Sequence, residues 1–342
     1  MSQISVNDIT SLDGKSGPVI SGITTVSSTG YMMIPAGPTE YRGGRGRGVF
    51  AGGGTAPASA WSNVIEYITI STTGNSSDFG DLNIASRGSA GYSSATRGFI
   101  SGGQAAPAGS TASIRYVEIQ STGNSFDFGN LTDSTNVDAG GCADSTRGLH
   151  IGAIGSSNSD TVNYITMASK GNATEFGKLI QGTQLNGCTS NSTRGISCGG
   201  NPSLNLNTIE FCTIQTTGNF QDFGDLIDGQ RNNHAASDGT RGVIFGGYSA
   251  PLFVNTIQYV TIASLGDAID FGDLSSLILN GGAVSNNIRG VYAGGSNPSG
   301  TYLNTIEYVN IQTLGDAIDF GDMLTERANL MASFSDSHGG LG

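Results

Sequence analysis

The sequence predicts an all-β protein assembled from six copies of one unit behind a separate N-terminal arm, and three observations carry that reading. A Phe-Gly pair recurs at Phe79, Phe128, Phe176, Phe223, Phe271 and Phe320, 47 to 49 residues apart. An Arg-Gly pair recurs alongside it, at Arg47, Arg97, Arg147, Arg194, Arg241 and Arg289, 47 to 50 residues apart. Of 342 residues 54 are glycine and only 12% are charged, a profile of short strands joined by tight turns. An even period of this length marks a structural unit that cannot bury its own apolar face alone.

Each unit opens on Arg-Gly and a short apolar run that usually ends in a Gly pair, as in "RGVFAGGG" and "RGVIFGGY"; the third copy, "RGLHIGAIG", is degenerate. An alternating segment with a central aromatic follows, such as "NVIEYITI" or "NTIEYVNI", and its β-branched, period-two pattern reads as a strand. Next comes Gly-Asn or Gly-Asp (Gly74-Asn75, Gly123-Asn124, Gly171-Asn172, Gly218-Asn219, Gly266-Asp267, Gly315-Asp316), suited to a tight turn before the Phe-Gly pair. The strand aromatic and the Phe are 12 residues apart in every copy, from Tyr67 and Phe79 to Tyr308 and Phe320, and the next Arg follows after 18 or 19. All other variation, 17 to 20 residues, lies between the Arg and the aromatic, so one loop per unit is free to change length. Counting 18 from Phe320 reaches His338-Gly339, where a seventh Arg-Gly would stand. Six units are expected, with no seventh.

The diglycines Gly102-Gly103, Gly199-Gly200, Gly246-Gly247 and Gly294-Gly295, the strand aromatics Tyr259 and Tyr308, and the Phe-Gly-x-Leu segments together resemble the kelch repeat of β-propellers. Phe271 and Phe320 stand where kelch repeats usually carry Trp, so the set is divergent. The resemblance covers residues 47 to 339 and implies a six-bladed, kelch-like β-propeller over 47–342, with repeats starting near 47, 97, 147, 194, 241 and 289 and an extended arm at 1–46. A stacked solenoid is the other architecture, but it calls for atypical capping repeats that this chain does not show. The whole chain, including "SGITTVSSTGYMMIPAGPTEY" ahead of the repeats, is similar to virion structural proteins of marine tailed bacteriophages, particularly those of cyanobacteria. That resemblance implies a particle component, assembled in the host cytoplasm and present in several copies.

A net charge of −12 and a pI near 4.5 argue against a nucleic-acid surface. No run approaches 18 apolar residues, so no membrane insertion is expected, and the first residues lack the basic-then-apolar pattern of a secretory signal. Asp270-Phe271-Gly272 spells the magnesium triplet of protein kinases, yet no His-Arg-Asp accompanies it and the triplet belongs to the repeat. Asp267, Asp270 and Asp273 suggest calcium, but the first is Asn in four copies and the last is Asn130 or Lys178 in two, so turn and hydrogen-bonding roles are expected. His150, His234 and His338 fall in separate repeats, and no Ser-His-Asp set or zinc triad can be assembled. No enzyme activity, cofactor or metal is expected. Cys142, Cys188, Cys198 and Cys212 form no C-x-x-C pair and read as buried thiols, with a disulfide or metal as the alternative. The six arginines either face a channel as an anion-binding ring or pair with carboxylates such as Asp270 or Glu307; pairing is favoured.

Two segments are left for contacts. The arm carries Tyr31, Met32, Met33, Ile34, Arg42 and Arg45 and is the expected anchor to other virion proteins. The variable loops carry Trp61, Leu204, Leu206, Tyr248, Leu252, Phe253 and Tyr302, an apolar load that marks a contact face for a protein partner, or for a host-surface glycan or receptor. Alternatively these side chains fold back as plugs. A carbohydrate-binding host-recognition module is the competing function, and a glycan-cleaving enzyme the least supported.

Overall fold

The computed structural model describes residues 46–55, 60–107, 109–133, 136–154, 158–329 and 331–341. The expected anchor residues Tyr31, Met32, Met33, Ile34, Arg42 and Arg45 lie outside the described residues. Apart from the 3-10 turn Gly339–Leu341, every regular element among the described residues is a β-strand.

Six antiparallel four-stranded sheets repeat along the chain. Sheet 2 shows the pattern: Ala90–Ser93, Arg97–Ser101, Ser113–Glu118 and Phe126–Asn130 lie side by side in chain order. Sheets 3 to 6 begin with Gly140–Ala143, Gly187–Ser190, His234–Ser237 and Gly282–Ser285 in the same way. Sheet 1 differs in connectivity. Its second to fourth strands are Arg47–Ala51, Val64–Thr69 and Ser77–Asp81, but its first is Ala332–Ser335 from the far end of the chain, with Phe50 opposite Ser333. The unit cut from the sequence at Arg-Gly is therefore offset by one strand from the sheet.

The constant 12-residue spacing has a geometric cause. In each sheet the third-strand aromatic meets the fourth-strand Phe edge to face, as in Tyr67 with Phe79 at 6.0 Å and Tyr308 with Phe320 at 5.9 Å between ring centroids. The glycine after that Phe sits at a register irregularity between the two strands. A Cβ on Gly80 would come within 2.5 Å of the Gly123 carbonyl oxygen, because the turn of the next sheet presses on this position. The Arg-Gly glycine is needed for a similar reason: a Cβ on Gly98 would lie 1.8 Å from the Phe334 ring. Five of the six first strands send one side chain into the space that the next second-strand glycine leaves open, and beside Gly290 the neighbour is Phe245 of the second strand of sheet 5.

These contacts link every sheet to the next. The first strands touch in sequence, sheet by sheet, and Ala332–Ser335 touches both Gly282–Ser285 and Ala90–Ser93, so the cycle closes. Six hydrophobic clusters follow the same rule, each shared by two neighbouring sheets; one joins Phe320 and Val291 of sheet 6 to Phe50 and Ile68 of sheet 1. Burying a Phe or Ile in such a cluster stabilises by roughly 1.5–3 kcal/mol. No sheet buries its apolar faces without both neighbours.

Candidate contact face and central cavity

The Gly-Asn and Gly-Asp pairs do more than turn the chain. In all six copies the Asn or Asp side-chain oxygen accepts a hydrogen bond from the fourth strand of the preceding sheet: Asn124 from the Asp81 N–H at 3.0 Å, and likewise Asn172, Asn219, Asp267 and Asp316. Asn75 accepts from Asp322 at 3.1 Å, joining sheet 6 to sheet 1. Neighbouring backbone bonds, such as Gly123 N–H to Phe79 O at 2.7 Å, occupy the rest of that strand edge. Exposed edges invite pairing with other chains, and here each is covered by the next unit. Of the acids that looked like calcium ligands, Asp267 is absorbed into this pattern by its carboxylate and Asp273 takes part through its backbone N–H. Among the described residues no group of three His, Cys, Asp or Glu side chains is placed to hold a metal ion.

The expected arginine–carboxylate pairing is corrected by the structure. Each repeat arginine lies over the face of its own strand aromatic, from 4.4 Å for Arg147 over Tyr164 to 5.1 Å for Arg97 over Tyr116. Each guanidinium also donates to backbone carbonyls of the next sheet: Arg47 to Ile119, Arg97 to Ala168, Arg147 to Ile214, Arg194 to Ile262, Arg241 to Ile311 and Arg289 to Ile70. Only Arg97 among these six also meets a carboxylate, Glu118 at 2.9 Å. Asp270 and Glu307 are not partners. A planar fork that bonds two directions at once suits an inter-sheet clip, and it leaves no ring of free cations.

A set of polar residues that the sequence reading missed lies one position before the strand aromatic: Glu66, Arg115, Asn163, Glu210, Gln258 and Glu307, all buried. Strand alternation places them only on the face opposite the aromatic, and in the structure they meet the preceding sheet's exit segment. Glu210 accepts from Ile180 N–H at 2.8 Å, Gln258 from Ile227 at 3.0 Å, Glu307 from Ser275 at 3.3 Å and Glu66 from Leu324 at 2.9 Å. Arg115 reverses the polarity, donating to Ile84 O at 3.0 Å, and burial pulls its guanidinium down to about 10. Glu66 also pairs with the buried Arg327 at 2.7 Å. The available signal was that this position carries a polar acceptor or Arg in all six copies, never a lysine.

The cysteines are free: Cys142, Cys198 and Cys212 are buried and Cys188 is partly exposed. Burial pushes all four thiols up, Cys198 and Cys212 to about 12. Thiols held neutral in this way are fillers, Cys142, Cys188 and Cys212 between sheets 3 and 4 and Cys198 between sheets 4 and 5. His150, whose Nδ1 lies 2.9 Å from Ser101 Oγ, and His234 are pulled down by burial to about 3 and about 4.

The variable loops leave between the second and third strands, and each pairs with the segment entering the first strand of its own sheet. Gly54 bridges Ala328, Ile154 bridges Val137, Tyr248 bridges Arg231 and Ser296 bridges Leu279. In sheet 5 the loop is a hairpin continuous with its strands, Arg241–Ser249 and Leu252–Thr261. The expected contact residues divide into two groups. Tyr302 is 8% exposed and takes a 2.6 Å hydrogen bond from Asn329 Nδ2. Trp61 is half-buried beneath Arg87, and Tyr248 is half-buried between Arg231 and the edge of Phe253. Leu206 is also half-buried. By contrast Leu204 and Leu252 are 79% and 66% exposed.

Between the six first strands lies a cavity of about 90 Å³. Asp138 and Leu185 line its entry end, and they belong to a set that precedes the six first strands, with Gly88, Asn232, Asn280 and Asn329, all with φ between 58° and 63°. Asn and Asp tolerate that region better than most side chains. Their backbones form a relay: Asp138 donates to Gly88 O at 2.8 Å, Leu185 to Asp138 O at 2.7 Å and Asn232 to Leu185 O at 2.8 Å. Burial pushes the Asp138 carboxyl up to about 6, partly countered by Arg87. No protein-family model and no curated protein matches this chain.

Proposed function

We propose that the six sheets make a six-bladed, kelch-like β-propeller that serves as a non-enzymatic structural module of a phage particle. In this reading the arm over residues 1–46 anchors the module to other virion proteins. The propeller displays its variable-loop end for protein contacts or host-surface attachment. The observation that carries the reading is the closed cycle of sheets, in which the one loop allowed to change length always emerges beside the cavity-entry segments. Radial repetition leaves only short, protected edges, and the backbone hydrogen bonds accepted by the repeated Asn and Asp side chains, such as Asn75, Asn124 and Asp316, supply that protection here. The particle assignment draws its support from the resemblance of the arm and repeats to virion proteins of marine tailed phages.

Catalysis finds no support in the buried groups. His150, beside the fully buried Ser101 hydroxyl, and His234 are held neutral by burial, and Asp267 and Asp316 accept from backbone amides. A glycan-reading propeller remains the second reading, favoured by the half-exposed Trp61 and Tyr248 faces beside Arg87 and Arg231. Two substitutions separate these from an inert face. Leu204→Ser and Leu252→Ser together are expected to abolish partner or host-surface binding with the melting temperature unchanged, because exposed leucines contribute little to folding. Binding retained by that double variant would contradict the contact-face reading. Glycan-array binding lost instead on Trp61→Ser and Tyr248→Ser would favour the carbohydrate reading. Deleting residues 1–40 is expected to leave a folded propeller that no longer joins the particle; incorporation at normal copy number would contradict the anchor.

A further inference from the structure

The exit end of the cavity carries a chain of serines with one gap. The last residue of each first strand is Ser93, Ala143, Ser190, Ser237, Ser285 or Ser335. Each hydroxyl donates to the carbonyl of the same position in the preceding sheet: Ser190 to Ala143 O at 2.7 Å, Ser237 to Ser190 O at 2.5 Å, Ser285 to Ser237 O at 2.7 Å, Ser335 to Ser285 O at 2.5 Å and Ser93 to Ser335 O at 2.7 Å. Ala143 has no hydroxyl, so Ser93 O lacks the donor that the other five carbonyls receive.

His338 fills that gap. Its Nε2 lies 2.9 Å from Ser93 O, and because a carbonyl only accepts, Nε2 carries the proton. The other ring nitrogen accepts from Gly340 N–H at 3.1 Å, which fixes a neutral tautomer with both nitrogens used. The chain then turns through Gly339–Leu341 against the ends of the first strands. A Cβ on Gly340 would lie 1.9 Å from Ala143 O, and one on Gly339 2.5 Å from Ser237 Oγ. Leu341 is buried. Immediately before, Asp336 accepts the Arg47 N–H at 2.9 Å, the contact that Asp144 makes locally with Arg147.

We propose that His338–Leu341 is a latch keyed to Ala143: the imidazole replaces the missing sixth hydroxyl, seats the C-terminal turn across the cavity exit, and fastens the closing strand Ala332–Ser335. This rests on the contacts within the sheets and not on the virion reading. Where the other repeats carry Arg-Gly and continue into a new strand, this one carries His-Gly and turns inward.

Three variants of the full chain test it: His338→Ala, Ala143→Ser, and the two combined. The readouts are melting temperature and hydrogen exchange of the peptide containing the Gly340 and Leu341 amides. His338→Ala is expected to lower the melting temperature by a few degrees and speed tail exchange about tenfold or more, since it strands a buried carbonyl and frees the turn. The combined variant is expected to regain wild-type melting while its tail stays fast, because the new serine satisfies Ser93 O without holding the turn. Ala143→Ser alone adds the hydroxyl that five repeats already carry, and is expected to fold and to loosen the tail by competing for Ser93 O. Wild-type tail exchange in His338→Ala, no recovery of melting in the combined variant, or wild-type tail exchange in Ala143→Ser would each overturn the proposal.

Discussion

At the scale of single residues, the glycine after each repeat arginine is set by a side chain in the neighbouring sheet. Phe334 fills the space beside Gly98, whereas the nearest atom to a Cβ on Gly290 would be Phe245 Cζ at 3.1 Å. Gly98→Ala is therefore expected to destabilise by about 1–3 kcal/mol, the usual result of overpacking a core, and Gly290→Ala by clearly less. Denaturant midpoints at constant slope would measure both. Asp138 gives a pH-dependent case. Its folded carboxyl sits near pH 6 against an ordinary value of 3.8, so the folded state favours the proton. Its contribution is fully present below about pH 4 and is lost as pH rises through 6. Three sister positions carry Asn with the same φ, so Asp138→Asn is sterically compatible. The variant is expected to melt above the wild type at pH 7.5 and level with it at pH 4; a gap that widens on acidification would contradict this. His150 and His234 act with the opposite sign, stabilising above pH 6.5 and losing that contribution as pH falls toward 4 and 3.

At the scale of elements, the sequence was legible wherever a strand carried large side chains. The second and third strands announce themselves by β-branched and aromatic alternation, and the fourth by Phe-Gly. The first strands were not legible. "AGYS", "GGCA" and "HAAS" are Gly, Ala and Ser-rich because six strands crowd around a small cavity, and small residues carry no strand signal. The same crowding accounts for Cys142 and Cys188, small side chains one position apart in neighbouring first strands. Inter-sheet staples such as Glu66 and Gln258 were missed because alternation reports only that a residue leaves the face of its aromatic neighbour. Where it then goes depends on a sheet that is distant in sequence. The Glu66–Arg327 pair is the most consequential of these, since both side chains are fully buried and Arg327 also donates to Gly52 O and Val64 O. Glu66→Ala leaves an uncompensated buried cation and is expected to cost about 3–5 kcal/mol. Glu307→Ala, whose carboxylate bonds a backbone amide, is expected to cost about 1–3 kcal/mol. Equal costs would mean that the ion pair has no special part in joining sheet 6 to sheet 1.

At the scale of the whole described chain, everything depends on closure. Six hydrophobic clusters, six arginine clips and six Asn or Asp edge bonds each include one member that joins sheet 6 to sheet 1. Regular spacing in the sequence specified the unit and its number, but an even period suits a stack as well as a ring. What distinguishes them is the last copy of each contact, carried by residues more than 200 positions apart, such as Asn75 and Asp322. Distances between spin labels on exposed outer residues test this most directly. Five neighbouring pairs (Thr122 with Asp78, Lys170 with Asp127, Thr217 with Glu175, Leu265 with Asp222, Leu314 with Asp270) calibrate the spacing, and Thr73 with Asp319 reads the closure. A closed cycle is expected to give six equally short distances, whereas five short distances and one long one, between Thr73 and Asp319, would show an open stack and contradict the account.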